Sequence, residues 1–362
     1  MIDRIRAAAR ELRLRWVSLA LALLLGLVGG VVFVELRIPL PWVIGPIFAN
    51  LVAALLGAKL WVPHWLRLPM YAVIGALFGM TVTRSFLRQI PQWWPTMLAS
   101  AVFVVAAIVS VTWYLRRVAH YDIVTSFLSA TPGGMVAAIA MSLENGADAR
   151  TVSLTQSVRL MVTVFTIPIA FRLFGDYHAT GAVAVNLGTA PFGAGDVALA
   201  LVGVIAGFWT GKLLRVPSPH LMGPMAGIAA LNLAGVISLQ FPDPLVAAAQ
   251  IVVGASIGAS FTGVRVRAVG HALGHGLAAG VLMVGVGAAL AVATHLVTGA
   301  PQIELLLSFA PGGFAEMALV AFGLNADLTF VIFHQLVRYV LVMILSPLII
   351  VYLRKTGRTK VA

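Results

Sequence analysis

Apolar residues fill most of this chain in long stretches, and charged residues are concentrated in the short intervals between them. Many stretches reach about 18 to 22 residues, which is enough for an α-helix to cross a hydrocarbon core about 30 Å thick. They lack the ten-residue alternation that is typical of an outer-membrane β-barrel. The pattern therefore predicts an all-α polytopic membrane protein.

The apolar segments occur in two series that follow the same order. The first series covers residues 16–34, 41–56, 70–82, 95–115, 123–143 and 151–174. The second covers residues 197–211, 219–239, 245–261, 276–297, 303–322 and 328–351. We interpret them as two copies of one unit.

A constant spacing supports this duplication. Pro132-Gly133-Gly134 recurs as Pro311-Gly312-Gly313, at an offset of 179 positions (311 − 132 = 179). The same offset relates three polar pairs, which are Asp148 and Asp327, Gln156 and Gln335, and Arg159 and Arg338. The sequence thus predicts a first membrane repeat over residues 1–178 and a second over residues 179–362.

Each Pro-Gly-Gly is predicted to interrupt a helix inside an apolar stretch, because Pro removes a backbone donor and Gly relaxes the steric limits of the chain. A half-helix that begins after such a break carries unpaired N–H groups and about half a positive charge. Many secondary transporters bring two such ends together near the midplane of the membrane. The alternative is that Pro-Gly-Gly only kinks a packed helix.

Composition agrees with a membrane protein and narrows its chemistry. Hydrophobic residues make up 60% of the chain and charged residues 10%, whereas globular proteins have roughly 25% charged residues. The absence of cysteine from the sequence excludes disulfides, thiolate metal sites and thiol chemistry. The net charge of +12 comes from Lys and Arg at segment ends and at both termini, so it indicates topology and requires no nucleic-acid partner.

The distribution of Lys and Arg favours one orientation. If both Pro-Gly-Gly segments dip into the membrane and return, each repeat has five crossings, and 18 loop and terminal Lys and Arg lie inside against 4 outside. If both segments cross, the division is 14 to 8. The positive-inside rule therefore favours inverted five-plus-five repeats in a multi-pass protein of the inner (plasma) membrane, with both termini cytoplasmic.

The intramembrane polar residues are the candidate site. An unpaired Arg at a helix centre costs about 2.5 to 3.5 kcal/mol on insertion scales, so Arg159 and Arg338 need partners. They either bind substrate or tie the helix to carbonyls of the broken segment, and the sequence leaves both interpretations open. The predicted substrate-binding residues are Pro132, Gly133, Gly134, Gln156, Arg159, Pro311, Gly312, Gly313, Gln335 and Arg338. Asp148 and Asp327 are better explained as helix N-caps.

Two carboxylates are candidates for coupling. Glu316 stands three residues after Gly313, where the first repeat has Ala137. It could carry a proton or help to hold Na⁺, or it could only complement the dipole of the half-helix. Asp196 is the second candidate, although it could simply cap the helix that follows it.

The duplicated Pro-Gly-Gly segment and the Asp, Gln and Arg that follow it resemble the AbrB-type membrane protein family over nearly the whole chain. The resemblance implies a tandem duplication, and members of that family are commonly labelled ammonia monooxygenases or regulators of gene expression. An oxygenase of that kind needs copper or iron ligands. Only His271 and His275 have helical ligand spacing, and we interpret them as interfacial histidines rather than as a metal site.

Three functions follow from these observations. The first is a secondary transporter that moves a small polar or anionic organic solute by alternating access, coupled to H⁺ or Na⁺. The second is a membrane-bound protein that regulates gene expression indirectly, and the third is a membrane oxygenase. The sequence predicts no cofactor and no catalytic residue, with the lipid bilayer and a small-molecule solute as partners. It leaves open whether the chain forms a homo-oligomer.

Overall fold

A computed structural model describes residues 2–36, 38, 40–133, 135–174, 194–216, 218–237, 241–264 and 266–355. All regular structure in these ranges is helical, which confirms the all-α prediction. The helices are α1 Ile2–Glu35, α2 Pro41–Leu55, α3 His64–Met80, α4 Arg84–Gln89, a 3₁₀ turn Ile90–Trp93, α5 Trp94–Arg117, α6 Ile123–Ala130, α7 Met135–Glu144, α8 Ala149–Phe174, α9 Ala194–Leu213, α10 Pro219–Leu233, α11 Asp243–Ala259, α12 Val266–Thr298, α13 Gln302–Phe309, α14 Phe314–Gly323 and α15 Leu328–Lys355.

Six helical segments in the described ranges are long and apolar enough to cross a membrane. They are Arg13–Glu35, Ile90–Arg117, Ala149–Ala170, Gly195–Leu213, Gly270–Thr298 and Leu328–Leu353. Helices α2 and α11 are apolar but shorter. Large apolar side chains such as Leu24, Trp113 and Val202 are exposed, which suits contact with lipid tails. The chain is a polytopic α-helical membrane protein.

The helices form two compact units. One unit comprises Met1–Phe86 and Phe171–Arg265, and the other comprises Leu87–Ala170 and Val266–Ala362. Each unit therefore takes one part from residues 1–178 and one part from residues 179–362. The two repeats themselves stay a prediction from the sequence.

Close helix packing through glycine defines the first unit, in which α1 packs against α2 and α9 packs against α10. A β-carbon at Gly29 would lie 2.4 Å from the Gly45 carbonyl oxygen, and one at Gly207 would lie 2.1 Å from the Gly223 oxygen. Any side chain at these positions would push the helices apart. Small residues that allow such backbone approach are typical of helix pairs in membranes.

The second unit contains both Pro-Gly-Gly segments. Helix α5 packs against α6, α12 and α15, and α13 packs against α12, α14 and α15. The rings of Phe103 on α5 and Phe309 on α13 stack at 5.9 Å between centroids in its core. This packing places the end of α13, where the second break begins, inside the unit.

Candidate functional site

Both Pro-Gly-Gly segments interrupt a helix, as predicted. Helix α6 ends at Ala130 and α7 begins at Met135, while α13 ends at Phe309 and α14 begins at Phe314. We call residues 131–134 the first break and residues 310–313 the second break. Gly134, a predicted binding residue, lies outside the described residues.

Each pair of half-helices turns back on itself. The backbone N–H of Asp148, just beyond α7, donates to Oγ1 of Thr125 near the start of α6 at 2.9 Å. The N–H of Asp327, just beyond α14, donates to Oε1 of Glu304 near the start of α13 at 3.2 Å. The chain thus returns to the end of the unit from which it departed. This geometry supports segments that re-enter and return.

The two aspartates cap the helices that follow the hairpins, which confirms their prediction as N-caps. Asp148 Oδ1 accepts from the N–H groups of Arg150 at 3.0 Å and Thr151 at 3.2 Å. Asp327 Oδ1 accepts from Thr329 at 3.0 Å and Phe330 at 3.1 Å. Burial alone would raise the pKa of Asp148, but hydrogen bonds from Thr151 and Arg150 and the Arg150 charge together lower that pKa.

Arg159 ties α8 to the first break. Its Nη1 donates to the Thr131 carbonyl oxygen at 2.6 Å, and its Nη2 donates to Gln156 Oε1 at 3.3 Å. The Gln156 amide in turn donates to the Leu128 carbonyl oxygen at 2.7 Å. Gln156 and Arg159 therefore satisfy carbonyls at the end of α6, which a helix terminus leaves without partners.

Arg338 repeats this arrangement at the second break and adds one bond. Its Nη1 donates to the Ala310 carbonyl oxygen, and its Nη2 donates both to Gln335 Oε1 and, at 2.9 Å, to the Gly312 carbonyl oxygen. The Gln335 amide donates to the Leu307 carbonyl oxygen at 2.8 Å. The tie to backbone carbonyls, one of the two interpretations open from sequence, thus describes both arginines.

Some buried polar atoms at and near both arginines have no hydrogen-bond partner among the described residues. Arg159 and Arg338 are 3% and 2% exposed. Within the described ranges, the Nε of each has no hydrogen-bond partner, and neither do the buried hydroxyls of Ser129 and Ser308. The oxygens that accept from the two guanidinium groups in these bonds are all neutral.

The space beside the two breaks differs. Gly133 has φ 108°, and a β-carbon there would meet no heavy atom of the described residues within 4 Å. A β-carbon at the equivalent Gly312 would lie 2.6 Å from the Met317 side chain, and one at Gly313 would lie 2.1 Å from Glu316 Oε2. Among the described residues, the space beside Gly133 is therefore open, whereas side chains of α14 occupy the space beside Gly312 and Gly313.

Structure adds contacts that sequence reasoning missed. Met317 corresponds to Ala138 at the offset of 179 (317 − 138 = 179), and Glu304 corresponds to Thr125. A position-by-position comparison of the two copies would have identified both differences. Buried His334, where the first copy has Thr155, contacts the Thr96 hydroxyl at 2.8 Å and the Phe330 carbonyl oxygen at 2.8 Å.

The predicted binding residues in the described ranges all belong to the second unit, and Asp196 does not. It lies in the first turn of α9 in the first unit. His271 and His275 contact each other through their Nε2 atoms at 3.1 Å, and His275 Nδ1 also contacts the Tyr114 hydroxyl at 2.9 Å.

Comparison with known proteins identifies the family. The family model described as "Transition state regulatory protein AbrB" matches residues 42–354. The Escherichia coli (strain K12) protein named "Putative regulator AbrB" is 28% identical over 347 residues, covering 93% of this chain and 95% of that protein. The Bacillus subtilis (strain 168) protein named "Uncharacterized protein YhjN" is 28% identical over 303 residues, covering 78% of this chain and 77% of that protein. The chain therefore belongs to the AbrB family.

Proposed function

We propose that this protein is a secondary transporter that moves a small polar or anionic organic solute by alternating access. The observation that carries the proposal is the pair of buried guanidinium groups, each held at a broken helical hairpin of one unit. Buried ionisable residues inside membrane helices commonly mark the path of a substrate or an ion. Broken helices that expose backbone groups to a cavity are the usual binding elements of such transporters.

The depth of the site supports this function. Eleven residues separate Asp148 from Arg159 (159 − 148 = 11), which corresponds to about 16 Å along a helix. Asp148 caps the start of α8, so Arg159 would lie about halfway across a hydrocarbon core of about 30 Å. The second hairpin has the same spacing from Asp327 to Arg338 (338 − 327 = 11).

Coupling to H⁺ or Na⁺ is assigned to Glu316, since its carboxylate lies against the backbone of the second break. Asp196 is the second candidate. The charge distribution favours inverted repeats in the inner (plasma) membrane with both termini cytoplasmic. In that arrangement the two hairpins enter from opposite sides.

Uptake into proteoliposomes tests the proposal. The purified chain would be screened with labelled small carboxylates and with neutral polar solutes of matched size, under imposed proton and sodium gradients. We expect gradient-dependent accumulation of at least one anionic solute, and loss of that accumulation in Arg159→Gln. Wild-type liposomes that take up no solute above protein-free liposomes, under either gradient, would contradict transport.

Indirect regulation of gene expression is a second candidate because the Escherichia coli relative is named a regulator. The two functions can be separated by deleting the gene for this chain and then restoring either the wild-type gene or the Arg159→Gln variant. Expression changes that the transport-defective variant restores fully would favour a regulatory role independent of transport.

A further inference from the structure

Basic and aromatic side chains meet at one end of the first unit. The membrane-spanning segment of α1 begins at Arg13, and the guanidinium carbon of Arg15 lies 5.9 Å from the centroid of the Trp61 ring. The rings of Trp16 and Trp65 lie 6.2 Å apart between centroids. The start of the α1 segment therefore contacts both the connection between α2 and α3 and the first turn of α3.

The end of α9 and the start of α10 lie at the same end. The ring of Phe208 on α9 stacks on His220 in the first turn of α10 at 4.9 Å between centroids. Burial lowers the pKa of His220, which lies outside the six membrane-spanning segments. The charges of His64, Lys212 and Arg67 lower that pKa further. We call His64, Arg67, Lys212 and His220 the basic cluster, because the ends of α3 and α9 bring the other three within electrostatic range of His220.

Carboxylates do not offset this cluster among the residues described from position 13 onwards. The acidic residues of the first unit in that part of the chain are Glu35, Asp196 and Asp243. Glu35 ends α1, and Asp196 lies 16 residues before Lys212 on α9 (212 − 196 = 16), which is about 24 Å along a helix. Asp243 begins α11, which runs parallel to α2 and so starts on the side of the unit where α1 ends. All three carboxylates thus lie away from the basic cluster.

The cluster can be reached from outside the described part of the protein. His64 and Lys212 are exposed, and Arg67 and His220 are half-buried. Arg67 Nη2 lies 3.0 Å from each ring nitrogen of His64, and Lys212 Nζ lies 5.0 Å from the centroid of the Trp209 ring. These contacts position the guanidinium and ammonium groups without neutralising them.

A stripe of exposed apolar side chains on α9 leads to the cluster. The side chains recur at helical spacing along one face of the helix and are Val202, Ile205, Trp209 and Leu213. From Val202 to Leu213 the stripe covers 11 residues (213 − 202 = 11), about 16 Å along a helix. That length is close to half of a hydrocarbon core about 30 Å thick, which is the depth of one leaflet. The tryptophans at the basic end are typical of the level at which lipid headgroups lie.

We propose that the basic cluster binds the phosphate of an anionic phospholipid, whose acyl chain lies along the stripe of α9. Arg67 presents N–H donors in a planar fork that matches phosphate oxygens, and Lys212 supplies a compact charge. A soluble anion would use these charges but not the apolar stripe that ends at them. The proposal concerns the lipid around the protein, so it goes beyond the transport of a solute and does not depend on it.

Net charge distinguishes the kind of lipid. A zwitterionic headgroup carries an ammonium group beside its phosphate, and the positive charges of Arg67 and Lys212 would repel that group. The headgroup of phosphatidylglycerol has hydroxyl groups instead, which add hydrogen-bonding partners without a second positive charge. The distribution of Lys and Arg also predicts that this end faces the cytoplasmic leaflet, where anionic lipids attract basic residues.

Thermal unfolding of the purified full chain in a neutral detergent tests the proposal. Phosphatidylglycerol is titrated into the micelles and compared with phosphatidylcholine that has the same acyl chains. Inorganic phosphate at equal ionic strength measures the response to a free anion. We expect phosphatidylglycerol to raise the wild-type Tm more than either control. Lys212→Gln and Arg67→Gln should each need about fivefold more phosphatidylglycerol for the same rise, since one basic residue near an anionic surface contributes about that factor.

The matched control is Arg117→Gln. Arg117 is exposed in the last turn of α5, in the other unit, and the charge distribution predicts it on the same side of the membrane. Arg117→Gln removes one positive charge but leaves the basic cluster intact, so it should keep the wild-type response. If Arg67→Gln does not fold, Lys212→Gln decides the question alone, because Lys212 is exposed.

Four results would overturn the proposal. Phosphatidylcholine could raise the Tm as much as phosphatidylglycerol does, or inorganic phosphate could reproduce the rise without lipid. Lys212→Gln could respond as the wild type does. Arg117→Gln could weaken the response as much as Lys212→Gln, which would show a general attraction between basic helix ends and anionic lipid. None of these measurements requires transport, so failure of the lipid site leaves the transport proposal untouched.

Discussion

Among the described residues, Arg159 at the first break donates to the Thr131 carbonyl and Gly133 borders open space. At the second break Arg338 donates to the carbonyls of Ala310 and Gly312, and Met317 and Glu316 occupy the space beside the glycines. Both breaks share the Gln-Arg tie, the capping aspartate and the return of the hairpin to its starting level. They differ in the two residues that follow the glycines by about one turn, which are Ala137 and Ala138 in one and Glu316 and Met317 in the other.

The shared contacts and the different ones have separate causes. A broken helix inside a membrane leaves carbonyl groups that must be satisfied whatever the protein does, so the tie by Gln and Arg is a requirement of the hairpin. The need to satisfy carbonyls does not explain why side chains occupy the space beside Gly312 and Gly313 but, among the described residues, not the space beside Gly133. The difference between the breaks therefore points to function more directly than the duplicated motif does.

The largest expected effect concerns orientation, because labelling is all or none. If the hairpins enter from opposite sides, Arg84→Cys and Arg265→Cys should react with an impermeant thiol reagent from opposite faces of the membrane. The chain has no cysteine, so each variant carries a single reactive thiol. Labelling of both positions from one face would show that the repeats are parallel and would contradict entry of the two hairpins from opposite sides.

The next effect is on stability and separates the two arginines. Arg338→Gln leaves two buried carbonyls without their guanidinium donor and Arg159→Gln leaves one, at about 1 to 3 kcal/mol for each unsatisfied group. Arg338→Gln should therefore lower the Tm more than Arg159→Gln. Arg159→Gln should reduce uptake to the level of protein-free liposomes while the protein stays folded.

Lysine variants refine this result, since Lys keeps the charge but not the planar fork. Arg159→Lys should recover part of the uptake, and Arg338→Lys should recover little of the lost stability. Equal losses of folded protein in the two Gln variants would mean that both arginines act only as ties.

A smaller effect is expected at Glu316, where only the coupling should change. Glu316→Gln should still exchange solute between the two sides, because exchange requires no net movement of a proton or cation. It should lose accumulation against a gradient. Glu304→Gln is the matched control, since Glu304 accepts the Asp327 N–H at the start of the same hairpin and lies away from the break. If Glu316→Gln accumulates solute to the wild-type level, Glu316 acts only as a charge at a helix terminus. Asp196 then becomes the candidate coupling residue.

Much of this architecture was accessible from the sequence, for identifiable reasons. The all-α membrane fold follows from the length of the apolar stretches, and the broken helices follow from the backbone chemistry of Pro-Gly-Gly. The caps at Asp148 and Asp327 follow from their position before a helix. These features depend on local chemistry, which the order of residues contains.

The contacts of the arginines were not accessible in the same way. Arg159 binds the carbonyl of a residue 28 positions earlier, and spacing along the chain does not show which segment a buried side chain reaches. The open space at Gly133 and the filled space at Gly312 also depend on the local backbone, since only Gly133 of this pair has a positive φ. Each compact unit combines segments from both predicted repeats, and the choice of segments that pack together depends on tertiary contacts.

The smallest expected effect compares the two capping aspartates through pH. The pKa of Asp148 is lowered in the folded protein, so its charge stabilises the fold above the unfolded pKa of about 3.9. That contribution is lost as pH falls through the lowered folded pKa. Asp148→Ala should reduce the free energy of unfolding by about 1 kcal/mol at neutral pH, because the cap is lost.

Asp148→Asn keeps an oxygen that can cap the helix, so it should retain most of the stability at neutral pH. Its stability should no longer fall as the pH is lowered through the pKa of the aspartate. Thermal unfolding of wild type and both variants between neutral and strongly acidic pH measures the difference, and Asp327→Asn provides the matched control at the second hairpin. A wild-type pH profile in Asp148→Asn would show that the carboxylate charge adds nothing to the cap at the first hairpin.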